Sequence, residues 1–190
     1  MSAMILEGIV TTLNSDGTVN VAPMGPMVDA DMTRLHLRPF QTSNTYRNLK
    51  RRPEGVFHVV DDVLLLARAA INALEETPPT FPAKVVAGSV LSGCCRWYEF
   101  RVESIDDSKD RTEICVEVVH SGRLRDVFGF NRAMHAVLEA AILATRVHIL
   151  PAEDVRRQFR ELAVTVEKTA GEREREAFRL LEEFVETTAG

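Results

Sequence analysis

Residues 5–24 read ILEGIVTTLNSDGTVNVAPM. Ile5 to Leu13 is apolar and β-branched, the composition of a strand. Asn14-Ser15-Asp16-Gly17 follows, and Asp-Gly is a strong hairpin signal because both residues tolerate a positive φ. Val19 to Met24 returns as a second strand. Gly25-Pro26 interrupts it, and Leu35 to Leu37 begins a third. The first 40 residues therefore read as β-structure.

Outward from this hairpin the chain alternates in character. Thr42-Ser43-Asn44 supplies capping residues, Tyr46 and Leu49 give one apolar edge, and Lys50, Arg51 and Arg52 close a short helix before Pro53. Val56 to Val60 is a strand. Asp61-Asp62 caps a helix with Val63, Leu66, Ala67, Ala70, Ile71 and Leu74 at helical spacing. Pro78, Pro79 and Pro82 mark a loop. Tyr98, Phe100 and Val102 alternate with Trp97, Glu99 and Arg101. Asp106 to Asp110 makes a turn, and Ile114, Val116 and Val118 alternate on the return. One face of this second hairpin is expected to be buried and the other partly wet. Asn131 to Ile149 reads as a helix apolar almost all round, so its exposed apolar surface is expected to mark an interface. From Pro151 a helical hairpin follows, broken at Gly171, with Val155, Phe159, Leu162 and Val166 in one arm and Phe178, Leu181 and Val185 in the other.

The whole chain has 190 residues, 45% apolar and 27% charged, with 28 acids against 23 bases. These proportions fit one globular domain with an appendage and exclude disordered and collagenous classes. The acidic balance argues against a nucleic-acid partner. Three cysteines, with no Cys-x-x-Cys pair, support neither a disulfide framework nor a zinc site, and the expectation is a cytoplasmic protein with reduced thiols. No stretch is long and apolar enough for a membrane partner.

Against this acidic background, Met32 to Pro53 carries Arg34, Arg38, Arg47, Lys50, Arg51 and Arg52 and no acid. Phe40-Gln41-Thr42-Ser43-Asn44-Thr45 lies inside it and opens a helix. Free N–H groups, hydroxyls and nearby arginines are the parts of a phosphate site. A capped, solvated basic helix has the same sequence, and both readings stand at this level. Asn20-Val21-Ala22-Pro23-Met24-Gly25-Pro26 places proline and glycine in a strand. That marks either an edge-strand bulge or a surface where a flat ligand meets the backbone.

Taken together, the Asp-Gly hairpin, Asn20 to Gly25, and the run Phe40-Gln41-Thr42-Ser43-Asn44-Thr45-Tyr46-Arg47-Asn48-Leu49 resemble the FMN-binding split-barrel superfamily. Flavin reductases and pyridoxamine-phosphate-oxidase-like proteins share that fold. Gly129-Phe130-Asn131-Arg132-Ala133 and Ala144-Thr145-Arg146 resemble a prokaryotic branch of it whose function is unknown. The resemblance implies a mainly β fold with α additions: a six-stranded Greek-key split barrel over 1–150, with 151–190 as a C-terminal helical hairpin packed on it. It also implies a homodimer with FMN at the interface, and an FMN-dependent oxidoreductase or flavin reductase reduced by a transient nicotinamide cofactor.

Carried over, Pro23, Met24 and Gly25 would lie along the isoalloxazine ring. Phe40, Gln41, Thr42, Ser43, Asn44 and Thr45 would wrap the ribityl chain and phosphate, with Ser43 and Thr45 as donors. Asn48 would tie that loop down. Val56 to Asp62 matches a strand whose backbone faces the flavin, with His58 where the superfamily leads one to expect asparagine. A non-catalytic module for FMN or another phosphorylated ligand, and a structural dimer with a vestigial groove, are the alternatives. No catalytic side chain is assigned.

Arg132, His135, Glu139 and Arg146 share one face of the helix from Asn131. An internal ion-pair network is expected there, ahead of a metal site or a substrate contact. Cys94 and Cys95 point to opposite faces of a strand, and Trp97 and Tyr98 read as barrel packing.

Overall fold

The computed structural model describes residues 4–188. They form two compact units, one of residues 4–60 and 76–127 and one of residues 61–75 and 128–188.

The first unit is an eight-stranded antiparallel sheet. In chain order its strands are β1 (Met4–Ile5), β2 (Gly8–Leu13), β3 (Val19–Met24), β4 (Met27–Val28), β5 (Arg34–Leu37), β6 (Glu54–Val59), β9 (Arg96–Asp106) and β10 (Glu113–Arg123). A separate ribbon pairs β7 (Thr80–Pro82) with β8 (Ser89–Leu91). In space the large sheet runs β1-β4-β5-β10-β9-β6-β2-β3. β1 and β2 are the first and seventh strands of that order, yet only Leu6 and Glu7 separate them. Such a link spans about 10 Å at most. Gly25 and Pro26 alone join the eighth strand, β3, to the second, β4. The sheet must therefore curl until its ends meet, without pairing them. This is a split barrel.

The sequence leads to six strands, and the excess consists of the two-residue strands β1 and β4, which pair only with each other and with β5. β7 and β8 fall where the prolines read as a loop. A three-residue ribbon accommodates Pro82 at its end, opposite Ser89. The first hairpin turns as expected: Gly17 has φ +86° and its N–H reaches the Asn14 carbonyl at 3.0 Å.

Val10, Leu35, Leu37, Phe57, Phe100, Ile114 and Val116 fill the barrel, and α1 (Asn44–Arg51) closes it with Tyr46 and Leu49. Glu99, on the face expected to be wet, is fully buried. Its carboxylate accepts the N–H groups of Lys84, Val85 and Val86 and the Trp97 indole N–H, so the β7–β8 loop covers it.

The second unit is helical: α2 (Val63–Ala70), α3 (Arg132–Ala144), α4 (Ala152–Thr169) and α5 (Glu172–Thr188). It takes in more than the hairpin 151–190. Ala133, Ala136, Val137, Ala140, Ala141, Leu143 and Ala144 of α3 are all buried in one core with α2, α4 and α5. The apolar girth of α3 is covered by these neighbours and is no free interface. The hydroxyl-free start of α4 at Pro151 contrasts with α3, where the Asn131 side chain accepts from Ala133 and Met134.

The expected ion-pair network on α3 does not form. Arg132, His135 and Glu139 share a face of α3, but the helix ends at Ala144, short of the expected Ile149, and Arg146 lies in the turn beyond it. All four are exposed, and among the described residues none is paired with an opposite charge. His135 stacks on Phe130 instead, at 6.1 Å between ring centres. In water such pairs contribute little, so the side chains have no drive to converge. No helix among the described residues is long and apolar enough to cross a membrane.

Candidate functional site

The stretch 38–46 is held by the tip of the β9–β10 hairpin. The Thr112 N–H donates to the Pro39 carbonyl at 2.9 Å, Phe40 makes an isolated antiparallel bridge to Arg111, and the Gln41 N–H reaches the Asp110 carbonyl at 2.9 Å. The Gln41 side chain donates to the carbonyls of Asp107 and Lys109 at 2.8 and 3.0 Å. The Arg111 guanidinium lies 5.7 Å from the centre of the half-exposed Phe40 ring.

This rigid approach delivers the chain into α1. Ser43 is its N-cap: Oγ accepts from the Tyr46 N–H at 3.2 Å and donates its own proton to the Phe40 carbonyl at 2.8 Å. The two hydroxyls expected to act together thus differ. The Ser43 proton is engaged. Thr45 Oγ1 accepts from Asn20 Nδ2 at 3.2 Å, and its own proton has no acceptor among the described residues. Nor does any described residue accept from the main-chain N–H of Asn44 or Thr45. Unpaired first-turn N–H groups are the anion-binding element of a helix start.

Charge reinforces this end of α1. There is no acid in its first turn. Arg47 folds back so that its guanidinium donates to the Thr42 carbonyl at 2.6 Å and to Asn44 Oδ1 at 3.2 Å, both neutral. Elsewhere in the basic window, part of the charge is compensated: Arg34 pairs with Glu103 at 3.2 Å and Lys50 with Asp107 at 2.7 Å. Arg51 donates to the Leu13 carbonyl. Among the described residues, no carboxylate pairs with Arg38, Arg47, Arg51 or Arg52.

A polar cluster joins α1 to the first hairpin. Asn48 Nδ2 donates to Thr12 Oγ1 at 3.0 Å and to Asn14 Oδ1 at 2.9 Å, while Asn20 Nδ2 reaches both Thr12 Oγ1, at 3.3 Å, and Thr45. Asn48 thus ties α1 to β2 and the first hairpin turn rather than to the loop 40–45. The cluster sets Thr45 against Asn20, near the start of β3, and Met24 stands four residues beyond Asn20, about 13 Å along the strand. β3 is an edge strand, paired with β2 alone, so one side of its backbone is unpaired. Pro23 is tolerated there, opposite Ile9, and Met24 packs toward the barrel core. Gly25 admits a close approach from within the chain: a Cβ there would come 2.5 Å from the Glu7 carboxylate.

His58 is fully buried, and both ring nitrogens are engaged. Nδ1–H donates to the Ile9 carbonyl and Nε2 accepts from the Leu91 N–H, each at 3.1 Å. Burial pushes its pKa down to about 4, so the ring is neutral and pins β6 to β2 and β8. Whatever this strand offers a ligand comes from its backbone. The Asp107 carboxyl is held below the usual range first by the Lys50 ammonium and then by the Tyr46 hydroxyl. Among the described residues no three His, Cys, Asp or Glu side chains gather as a metal would require. The contact of Asp107 with Tyr46 and Lys50 is not legible in the sequence. Tyr46 and Lys50 are four apart on one helix face, but nothing local ties them to a turn some 60 residues away.

A family model described as the N-terminal domain of a protein of unknown function, DUF447, matches residues 6–125, and its companion DUF447 model matches residues 131–183. The chain belongs to the DUF447 family. The two matches meet where the two compact units divide, between Val127 and Phe128. The fold is shared with an FMN-bound DUF447 protein from Methanosarcina mazei, at 23% identity, covering 95% of this chain and 94% of that one with a TM-score of 0.81. It is also similar to flavoredoxin from Methanosarcina acetivorans (12% identity, 63% and 69% covered, TM-score 0.53). A third likeness is to an FMN-binding protein from Thermus thermophilus crystallised with p-hydroxybenzaldehyde (14% identity, 68% and 77% covered, TM-score 0.53). The last two cover about two thirds of this chain; the DUF447 protein extends over nearly all of it.

Proposed function

We propose that this chain binds FMN and serves as a flavin-dependent oxidoreductase. The observation that carries the reading is the start of α1, where two unpaired N–H groups stand beside Arg47, a cation with no carboxylate partner. In this reading the phosphate takes the N–H groups of Asn44 and Thr45 and the Thr45 hydroxyl. Thr42 adds an exposed hydroxyl, Ser43 is the cap that fixes the turn, and Phe40 and Gln41 border the ribityl chain. The isoalloxazine lies along Pro23, Met24 and Gly25 at the open edge of β3, and the strand carrying His58 contributes backbone only. The length of β3 from Asn20, which holds Thr45, to Met24 suits a ligand whose phosphate and ring are held apart by a ribityl chain. The FMN-bound relative in the same family and the flavin-binding neighbours support the same ligand.

FMN would supply the electron or hydride chemistry, and the chain the binding, orientation and exclusion of water. A nicotinamide cofactor that binds transiently is the proposed reductant. The working unit is a homodimer with the flavin at its interface, in the cytoplasm. The exposed Phe128 and Phe130 and the unpaired edge of β3 supply surface for such a dimer, and Cys94 and Cys115 are free thiols. Light scattering should then give about twice 21.2 kDa. Anaerobic addition of NADH or NADPH to the flavin-loaded protein tests the redox half. Bleaching of the flavin absorbance is expected, and bound flavin that stays oxidised would mark a carrier.

A further inference from the structure

We infer that Asp107, at the tip of the β9–β10 hairpin, is a positioning residue for the phosphate end of the flavin site, acting through Tyr46 and Lys50. The inference rests on the FMN reading above. Asp107 Oδ2 accepts from the Tyr46 hydroxyl at 2.6 Å and from Lys50 Nζ at 2.7 Å, and Lys50 Nζ also lies 3.0 Å from the Tyr46 hydroxyl. Tyr46 and Lys50 are one turn apart on α1, so a single carboxylate holds that face of the helix. The carbonyls of Asp107, Lys109 and Asp110 meanwhile hold Gln41, three residues before the helix starts. The hairpin tip therefore grips the chain on both sides of Asn44 and Thr45. Those two N–H groups can converge on an anion only if the preceding loop and the helix axis keep a fixed angle, and the tip sets that angle.

Sequence and chemistry make this grip more than packing. Tyr46 is buried and already anchors α1 to the barrel core, so it does not need Asp107 to stay folded. The Asp107 carboxylate adds direction: two charge-assisted or short hydrogen bonds fix the rotation of α1 about its own axis. A negative charge near a phosphate site is otherwise unfavourable. Removing it should strengthen anion binding if Asp107 acted only through its field. A positioning role has the opposite sign.

The test compares FMN with riboflavin, which lacks the phosphate, as probes of the full-length protein. The ratio of their dissociation constants isolates the phosphate end. Asp107→Ala is expected to lower the FMN preference about tenfold, the equivalent of one misaligned charge-assisted hydrogen bond, while riboflavin affinity is unchanged. Tyr46→Phe, which removes one bond and no charge, should lower the ratio in the same direction. It decides the matter if Asp107→Ala does not fold. Glu103→Gln breaks the Arg34–Glu103 ion pair, which reaches the same basic window from β9, and should leave the ratio unaltered. A folded Asp107→Ala protein that keeps or increases its FMN preference overturns the positioning role and leaves the FMN site intact. A wild-type protein with no preference for FMN over riboflavin overturns the phosphate site itself.

Discussion

Acid should unlock the barrel through His58. The folded ring is neutral, with its pKa pushed down to about 4, against an ordinary value of 6.5. Between those two values the unfolded chain binds a proton that the folded chain refuses. Stability therefore falls as the pH drops from 6.5 toward 4, and is fully present above 6.5. At 1.36 kcal/mol per unit, the loss on reaching pH 4 is about 3 kcal/mol. The structural cause is burial against the Ile9 carbonyl and the Leu91 N–H, where an imidazolium would carry a second N–H facing another donor. Carboxylates titrate in the same range, so the measurement is a difference. Urea unfolding of wild type and His58→Phe is followed at pH 7.5 and at pH 4. The substitution removes the proton and leaves two main-chain groups unpaired, so at pH 7.5 it should cost about 2–4 kcal/mol. At pH 4 the gap should narrow by about 3 kcal/mol, because only the wild type bears the protonation cost. A gap of constant size across the range would refute the account of His58 as a neutral pin.

Other perturbations have definite signs. Glu99→Gln should lower stability by about 3–5 kcal/mol and speed hydrogen exchange at Lys84, Val85 and Val86, since the amide cannot match three N–H donors with a charge; equal exchange rates would count against the loop clamp. Glu139→Gln should change the unfolding free energy by less than about 0.5 kcal/mol, because this side chain is exposed and unpaired. A larger loss in denaturant melts would mean that the stripe is a network after all. Native alkylation followed by mass spectrometry should label Cys115, which is exposed, and spare Cys94, which is buried with its thiol pushed up to about 11. Labelling at Cys94 first would show that the β8–β9 connection, where Cys94 and Cys95 lie instead of on the expected strand, opens.

What the sequence revealed follows from the range of the forces involved. Asn14 to Gly17 could be read because a hairpin turn is settled by its own four residues. Ser43 announced the start of α1 for the same reason, and the Tyr98 to Val102 alternation placed a strand. Glu99 was misread because alternation marks two faces but does not tell which one a remote loop covers. His58 resembled a ligand-facing residue until its partners, Ile9 and Leu91, came from two other strands. The basic window looked uniform in sequence, yet Lys50 and Arg34 meet acids on β9 and the turn beyond it, while Arg47 meets none. The girth of α3 suggested a missing partner because the sequence hides that α2, α4 and α5 all pack on it.

FMN binding by the start of α1 and the edge of β3 together can be read in a single experiment. Titration of flavin-free protein with FMN, followed by flavin fluorescence, tests it most directly. A saturable change at one flavin per chain is expected. Fluorescence that stays proportional to added FMN up to about millimolar concentration, the weak end of specific binding, would contradict it.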